Sequence, residues 1–132
     1  LMQQRKAAPD FTLSSRIKVP ELREVIDDVE KGEDYTSHLE VAAYIYRFGT
    51  LPPNYRPKKE QRDNPDDEAW ATGGDHFGNY EERLPEDDYR EADVNMTRDS
   101  RGPERLVYSD DGDIYYTKDH YETFEQLVEG TD

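Results

Sequence analysis

YREADVNMTRDSRGPERLVYSDDGDIYYTKDHYETF, residues 89–124, is the stretch from which the fold can be read. In a strand, successive side chains face opposite sides. Between Tyr89 and Thr97, Ala92, Val94 and Met96 fall on one side and Glu91, Asp93 and Asn95 on the other. The apolar set reads as a buried face, so Glu91 points away from the core. In Arg105–Ser109, Leu106 and Tyr108 take one side, Arg105 and Val107 the other. Ser109-Asp110-Asp111-Gly112-Asp113 is a hairpin turn in which Asp111-Gly112 can supply positive φ angles. The return strand, Ile114–Thr117, carries the β-branched and aromatic residues that strands favour, and Lys118 to Tyr121 closes it. An antiparallel meander brings the end of this third strand back toward the first two. Glu91, Arg101, Arg105 and His120 then share one polar face: a candidate general base, two cations and a candidate general acid.

Each of the four also has an ordinary reading. A lone Glu on a strand is usually solvated, two arginines near a turn usually form surface ion pairs, and a His at a strand end is more often structural. Their combination in one stretch is what favours chemistry.

Composition sets outer bounds. A chain of 132 residues fits one domain. Without cysteine it has no disulfide, thiol or zinc-thiolate chemistry. No apolar run approaches the roughly 20 residues that span a bilayer, and no leader is visible. The net charge is −15, from 17 basic and 32 acidic residues. Residues 1–36 hold 6 basic and 8 acidic, and residues 37–132 hold 11 and 24, so the acidity belongs to the second part. Of the 17 cations, 11 are Arg. An acidic, lysine-poor surface suits high salt, where screening relieves self-repulsion; an ordinary acidic protein with a locally positive cleft fits the same numbers.

Residues 1–19 lack periodicity and read as a loose arm. Pro20 suits a first helical turn; Leu22, Val25, Ile26 and Val29 continue at helical spacing, with Gly32 as the stop. Ser37-x-x-Glu40 is a capping box opening a second helix, with Leu39, Ala42, Ala43 and Tyr46 on its apolar face and its end near Gly49. Leu51-Pro52-Pro53-Asn54-Tyr55 is an extended connector, and Pro57 starts a helix carrying Lys58, Lys59 and Glu60. Trp70 reads as a core or lid aromatic. Gly73-Gly74-Asp75 reads as a turn into a strand and loop over 76–83. The fold class is α+β: N-terminal helices packed on a twisted antiparallel sheet of four to five strands. Residues 1–36 form a partly flexible extension with a short helix, and 37–132 form the main domain.

READ (90–93), Arg101-x-x-x-Arg105, ERLVYS (104–109) and DHYETF (119–124) resemble the C-terminal half of barnase-type, guanyl-specific microbial ribonucleases. LPPNY (51–55) with Lys58 beyond it, and GGDHFGNYEERLP (73–85), extend the resemblance over roughly 37–127. It implies cleavage of single-stranded RNA without metal or cofactor. Glu91 takes the ribose 2′-OH proton, His120 protonates the departing 5′-oxygen, and Lys58, Arg101 and Arg105 stabilise the phosphorane-like charge. The 2′,3′-cyclic phosphate is then hydrolysed with the two roles reversed. Asp75 is implied to orient Lys58 or an arginine. Backbone amides at Gly78, Asn79 and Tyr80 and the Glu81 carboxylate are implied to read guanine, with Phe77 and Tyr121 stacking. The rate should be bell-shaped in pH, since a glutamate must be ionised and a histidine protonated; these side-chain types ordinarily titrate at about 4.3 and 6.5.

Three departures stand out. Residues 63–70 and the 85–89 loop look short for the family, and Tyr80 stands where arginine is common. His76 and His38 inherit no role. The resemblance also implies a secreted monomer, with its leader not visible in this chain, and a barstar-like protein inhibitor as partner. Two alternatives are a toxin module of a larger delivered protein, with 1–36 as a severed linker, and an inactive binding relative.

Overall fold

The computed structural model describes residues 15–131. One six-stranded sheet runs in chain order: β1 Tyr55–Arg56, β2 Ala71–Phe77, β3 Tyr89–Asp93, β4 Arg105–Ser109, β5 Ile114–Thr117 and β6 Glu125–Val128. The helices with it are α1 Pro20–Val25, α2 His38–Phe48 and α3 Lys58–Asp63. The α+β class agrees with the sequence, but four to five antiparallel strands become six, and β1 runs parallel to β2. Two residues are too few to show alternation, and parallel pairing needs a crossover, here through α3. The hairpin forms as expected between β4 and β5, with Gly112 alone at positive φ (+97°).

Gly73 and Gly74 lie inside β2 rather than at a turn before it. A side chain on Gly73 would stand 2.7 Å from Tyr55 Cδ1 and 2.9 Å from Ala92 Cβ. Gly74, at φ +102°, sits where the β2–β3 register shifts between Gly73 and Asp75. Glycine thus permits both a close approach and a bulge. The strand therefore covers 71–77, and residues 78–84 are loop.

The sheet's helix-covered face holds the main core. Ala92, Val94, Met96, Leu106, Ile114 and Leu127 meet Val41, Ala42, Ala43 and Ile45 of α2. Each fully buried Leu, Ile or Val contributes about 1.5–3 kcal/mol. Ser37 caps α2, accepting the Glu40 backbone N–H at 3.3 Å and donating its hydroxyl to the Glu40 carboxylate at 2.8 Å. Gly49, at φ +76°, ends the helix by donating to Ile45 O. His38, at the start of α2, stacks on Tyr116 (4.2 Å between centroids), a structural placement.

α1 stops at Val25, well before Gly32, yet Leu22 and Val29 are both buried in this core. Most of the expected loose arm falls outside the described residues, but its end is held. Ile17 is buried and bridges Val128, and Lys18 N–H donates to Leu127 O at 2.8 Å. Trp70 packs against the same core, with Arg98 4.8 Å above its ring. The opposite face of the sheet carries a smaller cluster of Leu84, Tyr89, Val107 and Tyr115, with Phe77, Tyr121 and Phe124 against it.

Candidate active site

Glu91 sits in mid-sheet, opposite Asp75 on β2 and Val107 on β4. Opposed residues share a face, so the bulge at Gly74 is what brings Asp75 beside it. The Glu91 carboxylate accepts the Tyr121 hydroxyl. Burial first, then the adjacent Glu91 carboxylate, push the Tyr121 phenol well above its usual range. Tyr121 therefore stays protonated and remains a donor.

The two arginines are held by a residue to which sequence reasoning gave no role. Asp93 faces Arg105 across β3–β4 and is buried. Its carboxylate accepts from Arg101 Nε and a terminal nitrogen at 2.6 and 3.0 Å. Arg105 Nε lies 3.0 Å away, and its terminal nitrogen donates to Gly102 O and Glu104 O. Asp93 and Arg105 side chains are 4% and 5% exposed, that of Arg101 53%. One arginine is thus a fixed internal cation and the other reaches solvent. The signal was present: Asp93 follows Glu91 by two residues, hence on the same face.

His120 and Tyr121 both adopt left-handed backbone, at φ +57° and +75°. Such conformations persist only where surrounding contacts impose them. Here His120 N–H donates to Pro103 O at 3.1 Å and Tyr121 N–H to Thr117 Oγ1 at 2.9 Å. Asp119 ties the loop further, accepting from Thr123 N–H (2.9 Å), Thr123 Oγ1 (2.6 Å) and Thr117 Oγ1 (3.0 Å). These bonds, those of Thr123 foremost, hold the Asp119 carboxyl down at about 2. The spacing Asp119-x-x-x-Thr123 is the sequence signal for this tie. His120 is exposed and joins the group through Tyr121, whose ring centroid is 4.8 Å away.

Lys58 opens α3, exposed, and Asp75 accepts its backbone N–H at 3.0 Å. Asp75 thus fixes the main chain that carries the lysine, a contact to the backbone rather than to the ammonium.

Beside Glu91 lies a cleft of about 440 Å³ lined by Phe77, Gly78, Asn79, Tyr80, Glu81 and Tyr121. Every residue that the resemblance assigns to guanine lines it; His76, Arg83 and Phe124 line it too. Phe77 and Tyr121 stack at 5.1 Å between centroids. The loop is folded by its own side chain: the Asn79 amide bonds Leu84 O and N–H at 2.9 and 3.2 Å, with Asn79 at φ +52°. Arg83, which sequence reasoning passed over, donates to the Glu81 carboxylate and, at 3.2 Å, to Tyr121 O, tying the two loops together.

A carboxylate, an imidazole and anchored cations beside an aromatic cleft, on the open face of an α+β sheet, define an enzyme suited to acid–base chemistry on an anionic, ring-bearing substrate. The family model described as ribonuclease matches residues 27–128. A ribonuclease of Heyndrickxia coagulans is 40% identical over 100 residues, covering 66% of this chain and 92% of that one. A ribonuclease of Bacillus intermedius is also 40% identical over 100 residues, covering 66% of this chain and 62% of its own length. The guanyl-specific ribonuclease St of Saccharopolyspora erythraea is 35% identical over 86 residues, covering 62% and 85%. The chain belongs to the ribonuclease family and is of the barnase-type microbial kind.

Proposed function

We propose that this ribonuclease is a guanyl-preferring endonuclease of single-stranded RNA that works by transesterification. The observation that carries the reading is the cleft. Phe77, Gly78, Asn79, Tyr80, Glu81 and Tyr121 line one cavity with Glu91 at its side. Guanine's Watson–Crick edge offers an acceptor beside two donors, which backbone amides and a carboxylate complement. Glu91 removes the 2′-OH proton, the 2′-oxygen bonds to phosphorus, and the P–O5′ bond breaks as His120 protonates the leaving oxygen. Water then opens the 2′,3′-cyclic phosphate, activated by His120, while Glu91 returns its proton to the 2′-oxygen. Arg101, Arg105 and Lys58 stabilise the phosphorane-like charge, and Asp93 supports this by fixing both arginines before substrate arrives. Secretion as a monomer and a barstar-like inhibitor rest on the family likeness alone.

The test compares GpA with ApA cleavage in EDTA, at low and molar salt, for the wild type and Glu91→Ala. Guanine-preferring cleavage that resists EDTA and disappears in the variant is expected. Equal rates on the two dinucleotides, or an active variant, would overturn the assignment.

A further inference from the structure

The bulge in β2 decides what stands beside Glu91. Gly73 and Gly74 carry no side chains to fix their pairing, and glycine-rich strands are prone to slip register. Because alternate residues face opposite sides, a slip of one residue would turn Asp75 away from Glu91. A bulge also leaves its extra residue outside the regular ladder, so the half-buried Gly74 carbonyl calls for a partner.

Arg90 is that partner. Its terminal nitrogen donates to Gly74 O at 2.8 Å. Arg90 precedes Glu91 in β3 and so stands on the other side of the sheet, across from Tyr108 on β4. There it lines a cavity of about 440 Å³ with Arg56, Tyr108, Asp110, Gly73 and Gly74. That cavity shares no lining residue with the cleft beside Glu91. Arg90 therefore holds the bulge from behind. What the bulge carries is one cationic side of the site: Asp75 follows Gly74, and its carboxylate accepts the Lys58 backbone N–H at 3.0 Å. Pro57, next to Lys58, lies 3.5 Å from where a Cβ on Gly74 would stand, so the segment entering α3 packs on the bulge. An exposed arginine on a strand is ordinarily a solvated side chain. This one ends on the carbonyl where the register shifts.

We propose that Arg90 is a positioning residue: by clamping Gly74 it fixes the register of β2, and so sets Asp75 beside Glu91 and Lys58 toward the reacting phosphate. The proposal rests on the role given to Lys58 above. Since Arg90 acts from the far side of the sheet, its loss should lower kcat and leave KM nearly unchanged.

The experiment compares GpA cleavage by the wild type, Arg90→Met, Arg90→Gln, Arg90→Lys, Asp75→Ala and the Arg90→Met, Asp75→Ala double variant, at low and molar KCl. Amide exchange at Lys58 is read alongside by NMR. Met keeps the apolar stem and removes the donor. Arg90→Met should lose about tenfold in kcat at both salts, with KM within about twofold. Its Lys58 amide should exchange about tenfold faster, while amides of α2 keep their protection. Arg90→Lys, which restores a donor, should recover most of both, and Arg90→Gln, neutral and shorter, should fall between. In the Asp75→Ala background Arg90→Met should cost nothing further, since the two residues act in series. A loss that vanishes in molar KCl would make Arg90 a source of field alone. A loss that adds in full to that of Asp75→Ala would place its effect elsewhere. Either result overturns the inference, and so does an unchanged Lys58 amide, a readout that needs no catalysis. A wild type without GpA preference, or an active Glu91→Ala, would instead sink the mechanism above, with the Lys58 amide still deciding whether Arg90 clamps the bulge.

Discussion

Across the three central strands, Ala92, Leu106 and Tyr116 stand in register on the helix-covered face, and Glu91, Val107 and Tyr115 stand in register on the other. One residue further along, Asp93, Arg105 and Thr117 form a third row, again on the open face and all buried. The same backbone thus supports two kinds of interior. On one face, burial is apolar and its stabilisation is non-directional. On the other, burial is partly ionic: Asp93 is out of water, and its charge is tolerable only because two guanidiniums complete it. The difference teaches that the open face is expensive to keep folded and is maintained for what it positions.

Asp93→Asn tests this most severely. It leaves Arg105 buried without its anion, so stability should fall by about 3–5 kcal/mol in urea unfolding. With both arginines loosened, kcat should fall about a hundredfold. A loss under 1 kcal/mol, with kcat intact, would break the contrast between the faces. On the helix-covered face, Leu106→Ala should cost about 2–5 kcal/mol, but the molecules that remain folded should keep wild-type kcat and GpA preference. A change in base preference would mean the two faces are not independent. The smallest effect concerns the loop that carries His120. Asp119 is held down at about 2 when folded, against about 3.9 for an ordinary aspartate. Its contribution is therefore fully present above about pH 4 and is lost as pH falls toward 2. The Tm gap between the wild type and Asp119→Asn should be constant above that window and close within it. A gap that persists at the acid end would refute the role.

What the sequence disclosed followed from periodicity. Ala92, Val94 and Met96 announced the buried side of β3, and Ser37 with Glu40 announced the start of α2. What it hid depended on neighbours distant in the chain. The two residues of β1 acquire strand geometry only beside Ala71 and Thr72. Gly73 and Gly74 read as a turn because the close approach of Tyr55 and Ala92 that requires them is tertiary. α1 is shorter than its apolar spacing suggests because Val29 is buried through a turn rather than on a continuing helix. At the site, Glu91 and Arg105 could be grouped from the sequence because alternation along β3 and β4 puts them on one face. The residues that hold the site in place, Asp93, Asp119 and Arg83, act through partners that spacing alone did not identify.

The pairing of Ile17 and Lys18 alongside β6 bears on solubility. An open sheet ends in rows of unpaired backbone groups that can recruit strands from other molecules. At one margin, residues 16–18 occupy that row, with Lys18 N–H on Leu127 O and Glu129 N–H on Arg16 O, both at 2.8 Å. At the other, β1 is two residues long and flanked by Pro53 and Pro57. Residues 16–18 are therefore a selvedge: they finish the fabric of the sheet and take up backbone groups that would otherwise lie open to another strand.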